Sequence, residues 1–223
     1  MGLFSTPPER FLSSEVAVEQ IRNIFCIGRN YQEHANELGN DVPAKPLIFG
    51  KSTHAAVPAK GHIYLPKGRS DIHYELEIVL WMKEKFHPTA SFAELIGGIA
   101  LGLDLTDRTA QSQLKAAGQP WEFAKGFVGS AVITDFYAIS DESEFEQMEF
   151  SLRKNDQMVQ VGHPRDMIFS VSEIIAYVGE HFGLSAGDIL FTGTPKGVGP
   201  LQTGDRLELI MNGDVWGSVT VGS

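Results

Sequence analysis

The residues of this chain best suited to chemistry are carboxylates and imidazoles at short spacings. In Asp71–Met82 (DIHYELEIVLWM) a period of two puts His73, Glu75 and Glu77 on one face, and Tyr74, Leu76, Ile78 and Leu80 on the other. Alternate residues of a strand lie roughly 6.5–7 Å apart, so two such carboxylates can converge on one point and suit a hard divalent cation. The same alternation also describes a half-buried strand with a solvated face. Asp104 sits between Leu103 and Leu105 in an apolar run. An unpaired buried charge is very costly, so Asp104 is paired, hydrogen-bonded or metal-bound. His34 and Glu37 stand three apart in a segment read as a helix and share a face. They form either an acid–base pair, with the carboxylate fixing the imidazole tautomer, or an exposed helix surface. Lys125 lies among aromatics in Pro120–Phe127 (PWEFAKGF), as a snorkelling surface residue or an anion-binding group in a pocket. Gly193–Gly199 (GTPKGVG) offers free backbone N–H groups, but lacks the spacing and following helix of a phosphate loop.

These residues need elements to hold them. Asn23–Ile27 (NIFCI), Leu47–Lys51, Ile63–Leu65, Ala131–Thr134 and Asp188–Thr192 read as short strands. Ile96–Leu105 reads as a strand whose three glycines imply close contact with another backbone. Asn155-Asp156 and Asn212-Gly213 mark two hairpins. Asp107 caps a helix over Thr109–Ala117 that carries Gln111 and that Gly118 ends. Ser170 and Glu173 form a capping box for a helix whose stripe Val171, Ile174, Ile175, Val178 and Phe182 faces the core. Strands outnumber helices without regular alternation, which predicts an α+β fold of mixed and antiparallel sheets. Residues 1–22 are expected as an N-terminal lead-in, loosely packed or mobile over Met1–Glu15, and residues 23–223 as a single catalytic domain.

A net charge of −10 argues against a nucleic-acid partner. Cys26 is the one cysteine, which excludes an intramolecular disulfide and a cysteine-based zinc site. The longest apolar run, Leu95–Leu103, is too short to span a bilayer, and no secretory pattern opens the chain. A cytoplasmic protein without membrane partners is the expectation.

Six stretches occur together: IGRNYQEHANE at 27–37, HYELE at His73–Glu77, LDLTDRTAQ at Leu103–Gln111, PWEFAKGF at Pro120–Phe127, MIFS at Met167–Ser170, and GDILFTGTPKGVGPLQTGD at Gly187–Asp205. In this order they resemble the fumarylacetoacetate hydrolase family, in its small single-domain branch, over nearly everything from Asn23 onward. The resemblance implies metal ligands at Glu75, Glu77 and Asp104, and Mg²⁺ or Mn²⁺ as the cofactor. It implies a catalytic histidine at His34 with Glu37 as partner on a short helix closing over the site. Gln111 and Lys125 then match polar groups that position substrate, and Thr194 a hydroxyl that holds a substrate carboxylate. Arg29 would be a second carboxylate anchor. Ile27 stands where larger members carry a further aspartate ligand, so water takes that place. Ser52, Asp156, Gly126 and Gly129-Ser130 depart from the patterns of near relatives and bear on pocket shape.

The implied activity is metal-dependent carbon–carbon cleavage in a small 2-oxo acid, with acylpyruvate hydrolysis foremost. Oxaloacetate decarboxylation, and isomerisation or hydration of a 2-oxo diacid from aromatic degradation, are the alternatives. Outside that class stand a non-enzymatic metal-binding protein and a zinc hydrolase using His73. The resemblance also implies a homodimer.

Overall fold

In the computed structural model, which describes residues 9–37, 39 and 41–222, the alternating stretch 71–82 is two strands rather than one. Ile72–Tyr74 pairs antiparallel with Thr106–Asp107 and Gly199–Pro200 in a small sheet. Leu76–Met82 pairs antiparallel with Ile96–Asp104 and Ile189–Phe191 in the largest sheet. The chain changes sheets at Glu75, whose carbonyl accepts from Asp104 N at 2.8 Å. The next amide, Leu76 N, donates to the Gln160 side chain at 2.9 Å. Alternation runs unbroken through this point, so the side-chain pattern carries no mark of the break.

Nor is Leu76–Met82 half-buried; all seven of its residues are buried. Leu76, Ile78, Leu80 and Met82 face a core shared with Phe150, Leu152, Leu209 and Met211 of the five-stranded sheet. Val79 and Trp81 face a second core with Cys26, Ala100, Phe136 and Phe191. The period of two therefore divides one strand between two apolar layers. The helix Val171–His181 closes the first core with Val171, Ile174, Ile175 and Val178, and its Ser170–Glu173 capping box is formed, but Phe182, expected on the same stripe, lies past the helix end and is exposed. Mixed and antiparallel sheets with a few helices make the α+β fold expected from the sequence. Among the described residues no helix is long and apolar enough to cross a membrane.

The stretch read as a loose lead-in is tied to the largest sheet where it is described, although Phe11 and Val16 stay exposed. Arg10–Leu12 pairs with Phe136–Tyr137 at the sheet edge. Ser14 N and Oγ each donate to Asp135 Oδ1 at 2.8 Å, and Ala17 is fully buried. Residues 1–8 of that stretch lie outside the described residues. A partner 121 positions away is what local composition could not show.

Ile96–Asp104 is buried along its whole length. The expected close approach at its glycines is present, chiefly to side chains. A Cβ on Gly102 would lie 2.6 Å from the Phe191 ring and 2.7 Å from Val79 Cγ2. Gly102 is also the residue paired with Glu77, so this spacing fixes how near the two strands bring their carboxylates. Gly102→Ala should lower stability by about 1–3 kcal/mol through overpacking, read as a drop in the urea midpoint at unchanged m-value. A midpoint equal to wild type would show that the ring moves aside freely.

Candidate active site

Glu75 sits at the sheet change, Glu77 two residues into the long strand, and Asp104 at the end of its antiparallel neighbour. One oxygen from each lies within 4.8 Å of the others. All three are buried, with Asp104 fully so. Oxygens around one six-coordinate cation at 2.0–2.1 Å stand roughly 3–4 Å apart, so small side-chain adjustments bring these three into one shell. The donor set is all carboxylate, which suits Mg²⁺ or Mn²⁺. Asp104 Oδ1 lies 2.7 Å from Lys51 Nζ yet accepts no well-aligned hydrogen bond, which leaves it a lone pair for a cation. His73 does not join the cluster. Its Nε2 lies 3.0 Å from Asp71, because the strand that carries it belongs to the other sheet. This removes the histidine on which the zinc reading rested.

Three cations answer the three carboxylates. Lys125 Nζ donates to Glu75 Oε2 at 2.6 Å and to Asp104 Oδ2 at 2.5 Å. Lys51 pairs with Asp104 and donates to Ser130 Oγ at 3.1 Å and to the Lys125 carbonyl. Arg108 pairs with Glu75 and donates to Gln111 Oε1 at 2.9 Å. Lys125 is thus buried among carboxylates and not a snorkelling surface residue. Burial works against the charge of Glu75, but Lys125 and Arg108 outweigh it and hold that carboxyl well below the usual range. Glu77 receives less help. Burial, then repulsion from Asp104 and Glu75, push its carboxyl well above the usual range, although Gly193 N donates to it at 2.7 Å. For Lys125, burial opposes the charge and Asp104 and Glu75 more than compensate, so its ammonium is stabilised.

One cleft is lined by Arg29, His34, Glu75, Glu77, Asp104, Gln111, Lys125 and Thr194 together. Glu37 lies just behind it. The helix Gln32–Glu37 buries His34, whose Nδ1 is 3.4 Å from Glu37 Oε2. Burial lowers the imidazole's proton affinity, against the pull of Glu75. Glu37 also accepts from Gly197 N at 3.1 and 3.2 Å, which ties the helix to the glycine loop. In that loop Thr194 Oγ1 accepts from Gln160 at 2.9 Å. Arg29 is held at φ +58°, a region that non-glycine residues seldom enter. Sequence reasoning missed Lys51, Arg108 and Gln160 as parts of this site. Lys51 and Gln160 come from distant strands with no motif of their own. Arg108 follows the Asp107 cap directly, and its charge at a helix N-terminus, disfavoured by the dipole, was the available signal.

Residues 23–220 match the family model described as Fumarylacetoacetate (FAA) hydrolase C-terminal. The human protein named oxaloacetate tautomerase FAHD1, mitochondrial, is 36% identical over 194 residues, covering 86% of this chain and 88% of the relative. Oxaloacetate tautomerase YcgM of Escherichia coli (strain K12) is 34% identical over 196 residues, covering 86% of this chain and 90% of the relative. Among solved structures, fumarylpyruvate hydrolase from Pseudomonas aeruginosa, in complex with Mn²⁺ and pyruvate, superposes with a TM-score of 0.83 at 33% identity, covering 91% of this chain and 90% of that one. The cytoplasmic expectation does not stand, since relatives from human, cattle, mouse, Arabidopsis thaliana and rice are named mitochondrial. A single cysteine and the lack of a secretory pattern describe any reducing compartment and cannot choose among them.

The charge pattern separates two ligand substitutions. Asp104→Asn leaves Lys51 and Lys125 short of a carboxylate and should cost about 3–5 kcal/mol in metal-free protein. Glu77→Gln keeps an acceptor for Gly193 N and removes a repelled charge, so metal-free stability should hold or rise. Both should lose Mn²⁺ binding by calorimetry. Because a proton on Glu77 must leave before a cation binds, wild-type Mn²⁺ affinity should rise with pH above the usual carboxylate range. A pH-independent affinity would contradict the charge assignment.

Proposed function

This chain belongs to the fumarylacetoacetate hydrolase family, a metal-binding enzyme acting on a small 2-oxo acid, and from that premise we propose that it interconverts the keto and enol forms of oxaloacetate. The observation that carries the reading is a buried histidine, its proton affinity lowered by burial, facing the same cleft as the carboxylate cluster. Keto–enol exchange needs one base near C3 and positive charge near the C2 oxygen. It needs no attacking water and no leaving group. Human and E. coli relatives are named for this reaction.

Glu75, Glu77 and Asp104 would hold the cation, which when bound supplies Lewis-acid polarisation of the 2-oxo carboxylate. Glu37 accepts a hydrogen bond from His34 Nδ1, so the other ring nitrogen carries the free lone pair. That nitrogen takes a proton from C3 as the C2–C3 double bond forms. The C2 oxygen gains a proton from solvent, and the imidazolium returns its own to solvent. Lys125, kept charged by its carboxylate neighbours, stabilises negative charge at that oxygen. The Thr194 hydroxyl accepts from Gln160 at 2.9 Å and donates to the Pro195 carbonyl over a long 3.4 Å, a contact it would exchange for the substrate carboxylate, and Gln111 and Arg29 complete the polar wall. The whole sequence reverses for the enol-to-keto direction.

Acylpyruvate hydrolysis is the second reading. It draws support from the P. aeruginosa hydrolase, and its ordering below isomerisation follows the names of the tautomerase relatives.

Oxaloacetate added in its enol form should lose enol absorbance faster with enzyme and Mg²⁺ than without, and chelator should abolish the difference. Pyruvate should not form in step. Pyruvate appearing in proportion would replace the isomerase reading with decarboxylation, and rapid acetylpyruvate cleavage with hydrolysis. His34→Ala should lower kcat by about 10²–10⁴. Since protonation removes the base and burial lowers its proton affinity, the acid limb of the wild-type pH profile should fall below the ordinary histidine value of 6.5. A limb above that value would exclude His34 as the base.

A further inference from the structure

Thr194 is buried and lines the cleft, yet its hydroxyl proton is poorly held. That proton reaches the Pro195 carbonyl over a long 3.4 Å. The same carbonyl already accepts from Gln160 Nε2 at 2.9 Å. A hydroxyl in this position gains by turning to a better-placed acceptor.

Gln160 has no such freedom. It is 1% exposed, and its amide is fixed from both ends. The Leu76 N–H donates to Gln160 Oε1 at 2.9 Å. A backbone N–H offers a proton and no lone pair, so the side-chain oxygen must face it. The NH₂ group then faces Thr194 Oγ1, at 2.9 Å, and the Pro195 carbonyl, which can only accept. Turning the amide over would set donor against donor at Leu76 and oxygen against oxygen at Pro195. Thr194 Oγ1 is therefore obliged to accept from Gln160, and its own proton is directed away from that side.

The backbone around Gln160 supports the arrangement. Gln157–Gly162 is an edge strand of the five-stranded sheet. Leu152 pairs with Gln160 and Arg153 with Met158, so the ladder skips Val159. An irregularity of this kind re-aims a side chain. The glycine loop lies directly on this strand, since a Cβ on Gly197 would collide with the Val159 carbonyl oxygen.

We propose that Gln160 is a positioning residue: by donating to Thr194 Oγ1 it turns the threonine proton into the cleft, where a substrate carboxylate accepts it. The inference rests on the reading that Thr194 meets that carboxylate, and not on which reaction follows. Gln160 does not line the cleft. It acts through Thr194, so the two side chains behave as one unit.

The probe is pyruvate, the smallest 2-oxo carboxylate, titrated calorimetrically into Mg²⁺-loaded protein. Thr194→Val should weaken its binding roughly ten- to hundredfold, the worth of one hydrogen bond to a charged group. Gln160→Met, neutral and of similar length, should reproduce most of that loss. The double variant should bind no more weakly than Thr194→Val alone, the mark of coupled residues. Losses that multiply, wild-type affinity in either single variant, or no pyruvate binding by wild type would overturn the proposal. Gln160→Met also strips the Leu76 amide of its acceptor, so a variant that fails to fold is answered by nuclear magnetic resonance without it. At saturating pyruvate the Gln160 side-chain amide protons should shift in wild type and far less in Thr194→Val. An equal shift in both, or none in wild type, would overturn the proposal. Pyruvate binding that follows the expected pattern without any keto–enol exchange of oxaloacetate would strike the tautomerase reading and leave Gln160 in its role.

Discussion

Three carboxylates held within a few ångströms in a dry interior are the constraint on which this structure turns. Like charges so placed repel strongly, and burial removes the water that would screen them. The protein meets this with cations delivered from three separate elements. Lys51 comes from the strand Leu47–Lys51, Arg108 from the start of a helix, and Lys125 from a short helix after it. Two are anchored beyond their carboxylates: Lys51 on Ser130 and a carbonyl, and Arg108 on Gln111. The compensation is uneven. Glu75 and Asp104 are bridged by ammonium groups, whereas Glu77 has only a backbone amide. That asymmetry makes Glu77 the ligand with most to gain from a cation, and it places the electrostatic demand on one oxygen pair.

The sheet architecture follows from the same requirement. A continuous strand would carry His73, Glu75 and Glu77 into one layer. Changing sheets at Glu75 lets the backbone turn while Glu77 stays on the long strand beside Gly102. The exposed ends created by the change are satisfied locally, the Glu75 carbonyl by Asp104 N and the Leu76 amide by Gln160. Gln160 also reaches Thr194 and the Pro195 carbonyl. One buried side chain therefore links the strand break to the glycine loop, and Glu37 links that loop to the helix bearing His34.

Local rules were readable where local contacts decide the outcome. The capping box at Ser170, the Asp107 cap and the turns at Asn155-Asp156 and Asn212-Gly213 involve neighbours in sequence. The strands fell where β-branched runs lie between turn residues. Of the site, the carboxylates were legible as a spacing, and their convergence with Asp104 only through the family's motif order. What stayed hidden was long-range. Ser14 finds Asp135, Lys51 finds Asp104, and Gln160 finds Leu76 across 84 positions. Nothing in the immediate sequence of Lys51 distinguishes it from a surface lysine ending a strand. Burial on both faces of Leu76–Met82 was equally invisible, since alternation between polar and apolar residues stops at Glu77 and the apolar run beyond it fits several settings.

The division of labour within the helix Arg108–Ala116 shows how one element serves both ends of the cleft. Its first residue faces inward to the ligand Glu75, its fourth joins the polar wall, and its eighth reaches the rim. These offsets of three and four put successive groups about one turn apart along a single face, at 1.5 Å of rise per residue. Arg108 to Lys115 thus spans about 10 Å of rise, so one helix reaches from the buried Glu75 to the mouth of the cleft. A change in the tilt of this helix would move both ends together, which couples the shape of the cleft mouth to how Arg108 holds Glu75.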